Sequence, residues 1–467
     1  MDSSVLAEML EHLRSRALPV HSILIVRHGR LVLDAAVYPF GGDGVHDIAS
    51  ATKSVTSLLI GIAIDKGYIR SVHEPVASLL SFGAERQSDP RKDRMTIEHL
   101  LTMTSGLACG VEPGERELAE MRRHDDWVTF AFGLPMSAEP GSRYAYCSCN
   151  NHLLSAIISA RTGMSALQFA RTYLFAPLGI QDAIWPADPQ HVTHGWGDLH
   201  LRPDDFAKLG YLYLQGGRWR DRQVVSEEWV KQSVAPHVTV RNGVGYGYSW
   251  WVNTARQPFI FEAVGRGGQR AAVLPDKDLV VVFNGGGADT DQLAPFLFKA
   301  IKSDGPLPED PRGARRLRTR LTEARQPRAP SASTPTSAPS PALLRAISAR
   351  RYVMDANPLN LTRLSLAFSG PTEARAILQL FDAEYRVPIG LDGRYRFSST
   401  GPAGLPTAAR AHWASASELV LDLDTVANIN HFTIRVAFQD EQVTLRVDEA
   451  TGEVNDLVVR GRVDSKK

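Results

Sequence analysis

Ile48-Ala49-Ser50-Ala51-Thr52-Lys53-Ser54-Val55-Thr56-Ser57-Leu58-Leu59-Ile60 carries the reading of both fold and chemistry. Ser50 stands one helical turn before Lys53, at the head of a strongly apolar helix. Residues three apart share a helix face, so the Lys53 amine can reach the Ser50 hydroxyl. A serine hydroxyl is a weak nucleophile at neutral pH and needs a base within hydrogen-bond distance. The partial positive charge at a helix N-terminus favours an oxyanion in the same place. The run Leu58, Leu59, Ile60, Ile62 and Ala63 predicts a buried helix that holds the pair rigidly. Ser-x-x-Lys alone is a weak signal, since a chain of this length should hold on the order of one chance match. The alternative is a solvated serine and lysine on a helix surface. The surrounding sequence decides between them.

Two further segments supply that context. Tyr144-Ala145-Tyr146-Cys147-Ser148-Cys149-Asn150-Asn151-His152-Leu153-Leu154 sets Tyr146 two residues before Ser148 and leads into a helix beginning near Asn150. Gly265-Arg266-Gly267-Gly268-Gln269 leads into a strand from Arg270 to Leu274, with a hairpin back through Leu279-Val280-Val281-Val282-Phe283. In order and spacing the three segments resemble the serine β-lactamase and penicillin-binding-protein superfamily. Its members carry Ser-x-x-Lys, then Tyr-x-Asn or Ser-x-Asn, then Lys-Thr-Gly or a variant on an edge strand. The segments His99–Leu107, Asp205–Gly210, Val225–Val230 and Tyr246–Trp251 resemble further parts of class C-like members, so the likeness runs from residue 20 to about residue 300. Within the superfamily the chain looks closest to the branch of carboxylesterases, 6-aminohexanoate-dimer hydrolases and class C-like peptidases. It departs from β-lactamases at Ser148, where they have asparagine, and at Arg266, where they have lysine. Both changes argue against efficient β-lactam hydrolysis.

The resemblance implies cleavage of an ester or amide through an acyl-enzyme on Ser50. Lys53 and Tyr146 share the proton, and either can be the base. The oxyanion is expected between the backbone N–H groups of Ser50 and Gln269. Ser148 is expected to orient Lys53 by a hydrogen bond. Gly267 and Gly268 are expected to let substrate approach the strand backbone closely. Arg266 is expected to hold a substrate carboxylate through its planar fork. Trp196 either lines the substrate cleft or packs in a loop. No metal and no organic cofactor is required. A β-lactamase or a D-amino peptidase is the nearest alternative activity. A non-catalytic binding or sensor homologue is the rival of another class, and the intact Ser50, Lys53 and Tyr146 argue against it.

The chain has 467 residues, enough for more than one domain. Its 43% hydrophobic and 22% charged content is ordinary for a soluble globular protein. A net charge of +1 gives no electrostatic case for nucleic acid or a membrane surface; the partner that the resemblance implies is a small-molecule ester or amide. No apolar run approaches the length of a membrane span. The segment Met1–Leu10 carries acids and no signal-peptide core, so the expected location is cytoplasmic, or periplasmic or secreted if a leader was removed. The oligomeric state is left open.

Cys109, Cys147 and Cys149 are an odd count without framework spacing, which argues against a disulfide scaffold and for small packing residues. His191, His194 and His200 cluster with Asp198 around Trp196, but no zinc-ligand spacing supports a metal there. Gly285-Gly286-Gly287 lacks the Gly-Lys-Ser/Thr of a phosphate loop.

The segments 22–26 and 31–35 read as a hairpin turning at His28-Gly29-Arg30, joined to the hairpin of residues 270–284 in one antiparallel sheet with helices packed on it. The expected class is α+β. Residues 1–305 form the hydrolase domain, and 306–342 an arginine-rich helix and a Pro/Ser-rich linker. After the linker the apolar period changes to two, as in Leu419-Leu421-Leu423 and Phe432-Ile434-Val436-Phe438, so 343–467 is a small all-β barrel or sandwich.

Overall fold

The apolar run after Ser50 forms a helix, Thr52–Asp65, in which every residue from Thr52 to Ala63 is buried. A helix apolar all round needs a partner on each face. The helix Ser148–Thr162 packs on one side of it and the strand Ile260–Gly265 on another. The computed structural model describes residues 1–80, 89–110, 115–255, 257–328, 339–401 and 405–464.

The chain divides into two compact units. One comprises residues 23–34 and 45–284; the other comprises 1–22, 35–44 and 285–467. The sheet of the first unit is eight-stranded, in the order Arg30–Ala36, Val20–Arg27, Leu279–Gly285, Gln269–Leu274, Ile260–Gly265, Trp251–Asn253, Val244–Tyr246, Val238–Arg241. Its two outermost strands on one side extend into segments of the second unit. From residue 238 to 285 the pairings are antiparallel, with Gly265 opposite Gln269 and Ala271 opposite Val282. The predicted hairpins are therefore present, and the architecture is α+β with helices on an antiparallel sheet. Ser148 already opens its helix, two residues earlier than the pattern of apolar residues suggested.

In the other unit the period-two segments close into an antiparallel barrel of nine strands. Their order is Ala383–Gly390, Glu373–Leu380, Leu361–Phe368, Arg351–Met354, Leu457–Val463, Gln442–Glu449, His431–Gln439, Glu418–Asp424 and Thr407–Trp413. A parallel contact between Gly390 and Arg410 closes the ring, and Arg396–Ser398 adds to the strand Thr407–Trp413. Closure removes the open sheet edges that a sandwich of the same strands would leave.

The arginine-rich segment is helical from Pro311 to Ala324, but its charge is not simply solvated. Arg316 and Arg320 pair with Glu11 of the helix Ser3–Arg16, with Arg316 Nε 2.9 Å from the carboxylate. Both helices fall within the unit of residues 1–22, 35–44 and 285–467. Most of the expected linker, residues 329–338, lies outside the described residues. Among the described residues no helix is long and apolar enough to cross a membrane.

Candidate active site

Ser50 sits in a single 3-10 turn, Ala49–Ala51, that runs directly into the helix Thr52–Asp65. Two features shape the turn. Ala49 is held at φ 48°, a left-handed conformation that costs a non-glycine residue about 1–2 kcal/mol. The Asp47 carboxylate accepts a hydrogen bond from the Ala49 N–H at 2.7 Å and so fixes the chain just before the nucleophile position. Strain of this kind persists only where the surroundings over-determine it, and it concentrates at functional sites.

The helix delivers Lys53 to the same face. Its Nζ lies 2.9 Å from Ser50 Oγ and 3.0 Å from the Trp196 carbonyl oxygen, with the side chain 1% exposed. The face of the Tyr146 ring closes the other side, its centroid 4.9 Å from Nζ. Tyr146 in turn stacks on Trp251, 6.2 Å between centroids. Ser50, Lys53 and Tyr146, read from distant parts of the sequence, are thus in one place.

Other expected site residues behave differently. Ser148 is buried, but its Oγ makes no hydrogen bond to Lys53 or to any other described residue. Nζ is instead directed to Ser50 Oγ and the Trp196 carbonyl. Trp196 contributes that backbone oxygen, and its side chain is buried. The ring is packed at 4.6 Å on His194 and within 5.5 Å of Trp127 and His152. Gly267 and Gly268 lie in the turn joining Ile260–Gly265 to Gln269–Leu274, not within a strand. They have φ of 79° and 91°, which is what demands glycine there.

The glycine that serves close approach is Gly265. A Cβ on it would stand 2.4 Å from the Ile48 carbonyl oxygen and 3.0 Å from Ala49 Cβ. The end of the strand is therefore pressed against the Ser50 turn, and Gln269, paired with Gly265, is brought in with it. Gln269 is fully buried, with its side chain held by the Arg266 carbonyl and Asn284.

Arg266 is half-buried at the same turn, and its charge is felt by Asp47. Burial pushes the Asp47 carboxyl up to about 6, with the Asp198 charge adding to it; His200, the Ala49 N–H and Arg266 pull the other way. Asp47 was not among the sequence-derived candidates, although an Asp three residues before a helix-opening serine is a recognisable turn signal. His194 and His200 each use Nδ1 on Asp198, His194 on the carboxylate at 2.8 Å and His200 on the backbone carbonyl at 3.0 Å.

The cysteines are a correction. Cys109 and Cys147 form a disulfide across 38 residues of sequence, a separation that carries no local signal. The bond ties the segment after the helix Ile97–Leu101 to the residue between Tyr146 and Ser148. Cys149 remains a buried thiol, and burial pushes it up to about 12, which makes it a poor nucleophile.

A serine hydrogen-bonded to a buried lysine at a helix start is compatible with a serine hydrolase of ester or amide bonds, and family and relatives assign that class. The beta-lactamase family model matches residues 6–303, and the chain belongs to that family. The 6-aminohexanoate-dimer hydrolase of Paenarthrobacter ureafaciens is 24% identical over 56% of this chain and 71% of its own length. Esterase EstB of Burkholderia gladioli is 26% identical over 44% of this chain, and the match covers 58% of the esterase. Among solved structures, the octameric penicillin-binding protein homologue from Pyrococcus abyssi aligns over 98% of this chain and 99% of its own, with TM-score 0.51 and 17% identity, a likeness of fold.

The electrostatics of Asp47 give a testable sign. Its folded-state value lies above the value of about 3.9 for an exposed aspartate, so ionising it costs stability as pH rises from about 4 to about 6. Asp47→Asn removes that cost and keeps an acceptor for the Ala49 N–H. Its melting temperature, relative to that of the native chain, is expected to climb across this window and level off above it. A difference that does not vary with pH would show that Asp47 ionises in the fold as freely as in the unfolded chain.

Proposed function

We propose that this protein hydrolyses small carboxylic esters, and amides of similar size, through an acyl-enzyme on Ser50. The observation that carries the reading is the 2.9 Å contact between Ser50 Oγ and the buried Lys53 Nζ. In its neutral form Lys53 accepts the Ser50 proton as Oγ bonds to the substrate carbonyl carbon. The carbonyl oxygen takes the negative charge and is met by the backbone N–H groups of Ser50 and Gln269, each such donor contributing on the order of a hundredfold or more. The carbon–oxygen or carbon–nitrogen bond to the leaving group then breaks, and the proton passes to that group. We assign this relay to Tyr146, whose ring packs on Lys53. Water attacks the acyl-enzyme with the same base and frees the acid and Ser50. Lys53 is favoured over Tyr146 as the base because it contacts Oγ, whereas Tyr146 meets Lys53 with its ring face.

The names of the relatives span an esterase and an oligoamide hydrolase, so both bond types are in range. A panel of short acyl esters, a 6-aminohexanoate dimer, D-amino acid amides and a chromogenic cephalosporin separates the readings. Short esters are expected to turn over fastest and the cephalosporin slowest. Cephalosporin cleavage at a rate equal to that of the best ester would make this a β-lactamase.

Arg266 is proposed to bias the site towards substrates that bear a carboxylate, because a guanidinium stays charged at every working pH. Arg266→Ala is expected to raise KM for a carboxylate-bearing ester about tenfold to a hundredfold more than for a neutral ester of equal size, as a charge-assisted pair is worth about 1.5–3 kcal/mol. Equal changes for the two esters would remove the recognition role. A fall in kcat common to both, with a shifted pH profile, would instead assign Arg266 to tuning the site's charge.

A further inference from the structure

The C-terminal barrel is not filled. Its interior holds a cavity of about 260 Å³, and every residue lining it is Leu, Ile, Val, Ala, Phe or Pro. Protein interiors normally pack as densely as organic crystals. Even a dry apolar cavity of about 150 Å³ takes up a guest the size of benzene. The space is long as well as large. Along the strand Glu373–Leu380 its wall runs through Ala376, Leu378 and Leu380, which spans about 13 Å at the usual rise per residue. No side chain in the wall carries a hydrogen-bonding group, so a guest with polar atoms along its length would lose its hydration without replacement. A hydrocarbon chain loses nothing.

One end of the cavity is marked by an unusual turn. Leu380 pairs with Ala383, leaving Phe381 and Asp382 as a two-residue hairpin loop with φ of 47° and 63°. Glycine, asparagine or aspartate is the expected residue at the first of these positions, since a bulky side chain is strained there. Phe381 is nevertheless there, 66% exposed, and it lines the same cavity as the apolar wall. An exposed aromatic ring kept in a strained conformation at the end of an apolar channel fits a portal.

We propose that the barrel is a binding site for a single medium-length acyl chain, which enters past Phe381 and leaves its carboxyl group at that end. The inference does not depend on the hydrolase site. Dodecanoic acid titrated calorimetrically into the full chain is expected to bind saturably at one equivalent, with a negative heat-capacity change. Across hexanoic, octanoic, decanoic and dodecanoic acids the affinity is expected to rise about fourfold per methylene, as each buried methylene contributes about 0.8 kcal/mol, and to level off once the chain outgrows the lumen. Ala376→Phe and Leu421→Trp fill the lumen from two different strands of its wall. Each is expected to weaken dodecanoate binding about tenfold or more, with turnover of a short ester and the cooperative melt unchanged. Absence of saturable binding by the native chain, or an affinity that does not depend on chain length, would overturn the proposal. So would undiminished binding by either lumen variant that folds.

Discussion

Ser50→Ala is expected to lower ester turnover by a factor on the order of 10⁴–10⁶, leaving only the catalysis that binding and the oxyanion donors supply. The substitution deletes one oxygen and disturbs little else. The turn before it is fixed by Asp47 on the Ala49 N–H, which remains. Lys53 keeps the Trp196 carbonyl as a partner. The lost hydrogen bond is worth about 0.5–1.5 kcal/mol, so the melting temperature should move only slightly. Because the fold and the KM of substrate binding are both spared, the loss should fall on kcat. Measured by steady-state kinetics on a short acyl ester, a residual rate above about a hundredth of the native one would place the nucleophile elsewhere.

Lys53→Met is expected to cost about 10²–10⁴-fold in kcat, the usual contribution of a positioned general base. Methionine matches the stem of lysine and removes the amine. Lys53 is 1% exposed, and among the described residues it donates to Ser50 Oγ and the Trp196 carbonyl, neither of them a carboxylate. Removing the amine leaves the buried Trp196 carbonyl without its partner, a cost of about 1–3 kcal/mol. Activity should therefore fall far more than stability: kcat collapses while a cooperative melt is kept at a modestly lower temperature. Tyr146→Phe gives the comparison. If Tyr146 only relays the proton, it should lose less than Lys53→Met. A larger loss for Tyr146→Phe than for Lys53→Met would make the phenol the base and Lys53 its neighbour.

What the sequence disclosed, and what it hid, follows from how far each interaction reaches. The Ser50–Lys53 contact is local, three residues apart on one helix, so spacing alone places it. The hairpins of the sheet and the strands of the barrel are legible because a half-buried strand alternates with period two. Closure of those strands into a barrel was not, since sandwich and barrel strands share that alternation and only the pairing of Gly390 with Arg410 distinguishes them. The Trp196 carbonyl that holds Lys53 comes from 143 residues away, and a backbone oxygen has no residue signature. The Cys109–Cys147 bond was hidden for the same reason. The role of Gly265 depends on how closely one strand end approaches the Ile48 carbonyl. In the sequence it is indistinguishable from Gly267 and Gly268. The pairing of Arg316 and Arg320 was hidden too, because their acidic partner, Glu11, lies some three hundred residues earlier in the chain.

The central claim is that Ser50 becomes acylated. The most direct test is to treat the full chain with a fluorophosphonate, digest it, and locate the added mass by tandem mass spectrometry. The account predicts one adduct, on the peptide that contains Ser50, formed in step with loss of ester turnover and absent from Ser50→Ala. An adduct on another residue, or complete loss of turnover with Ser50 unmodified, would contradict it.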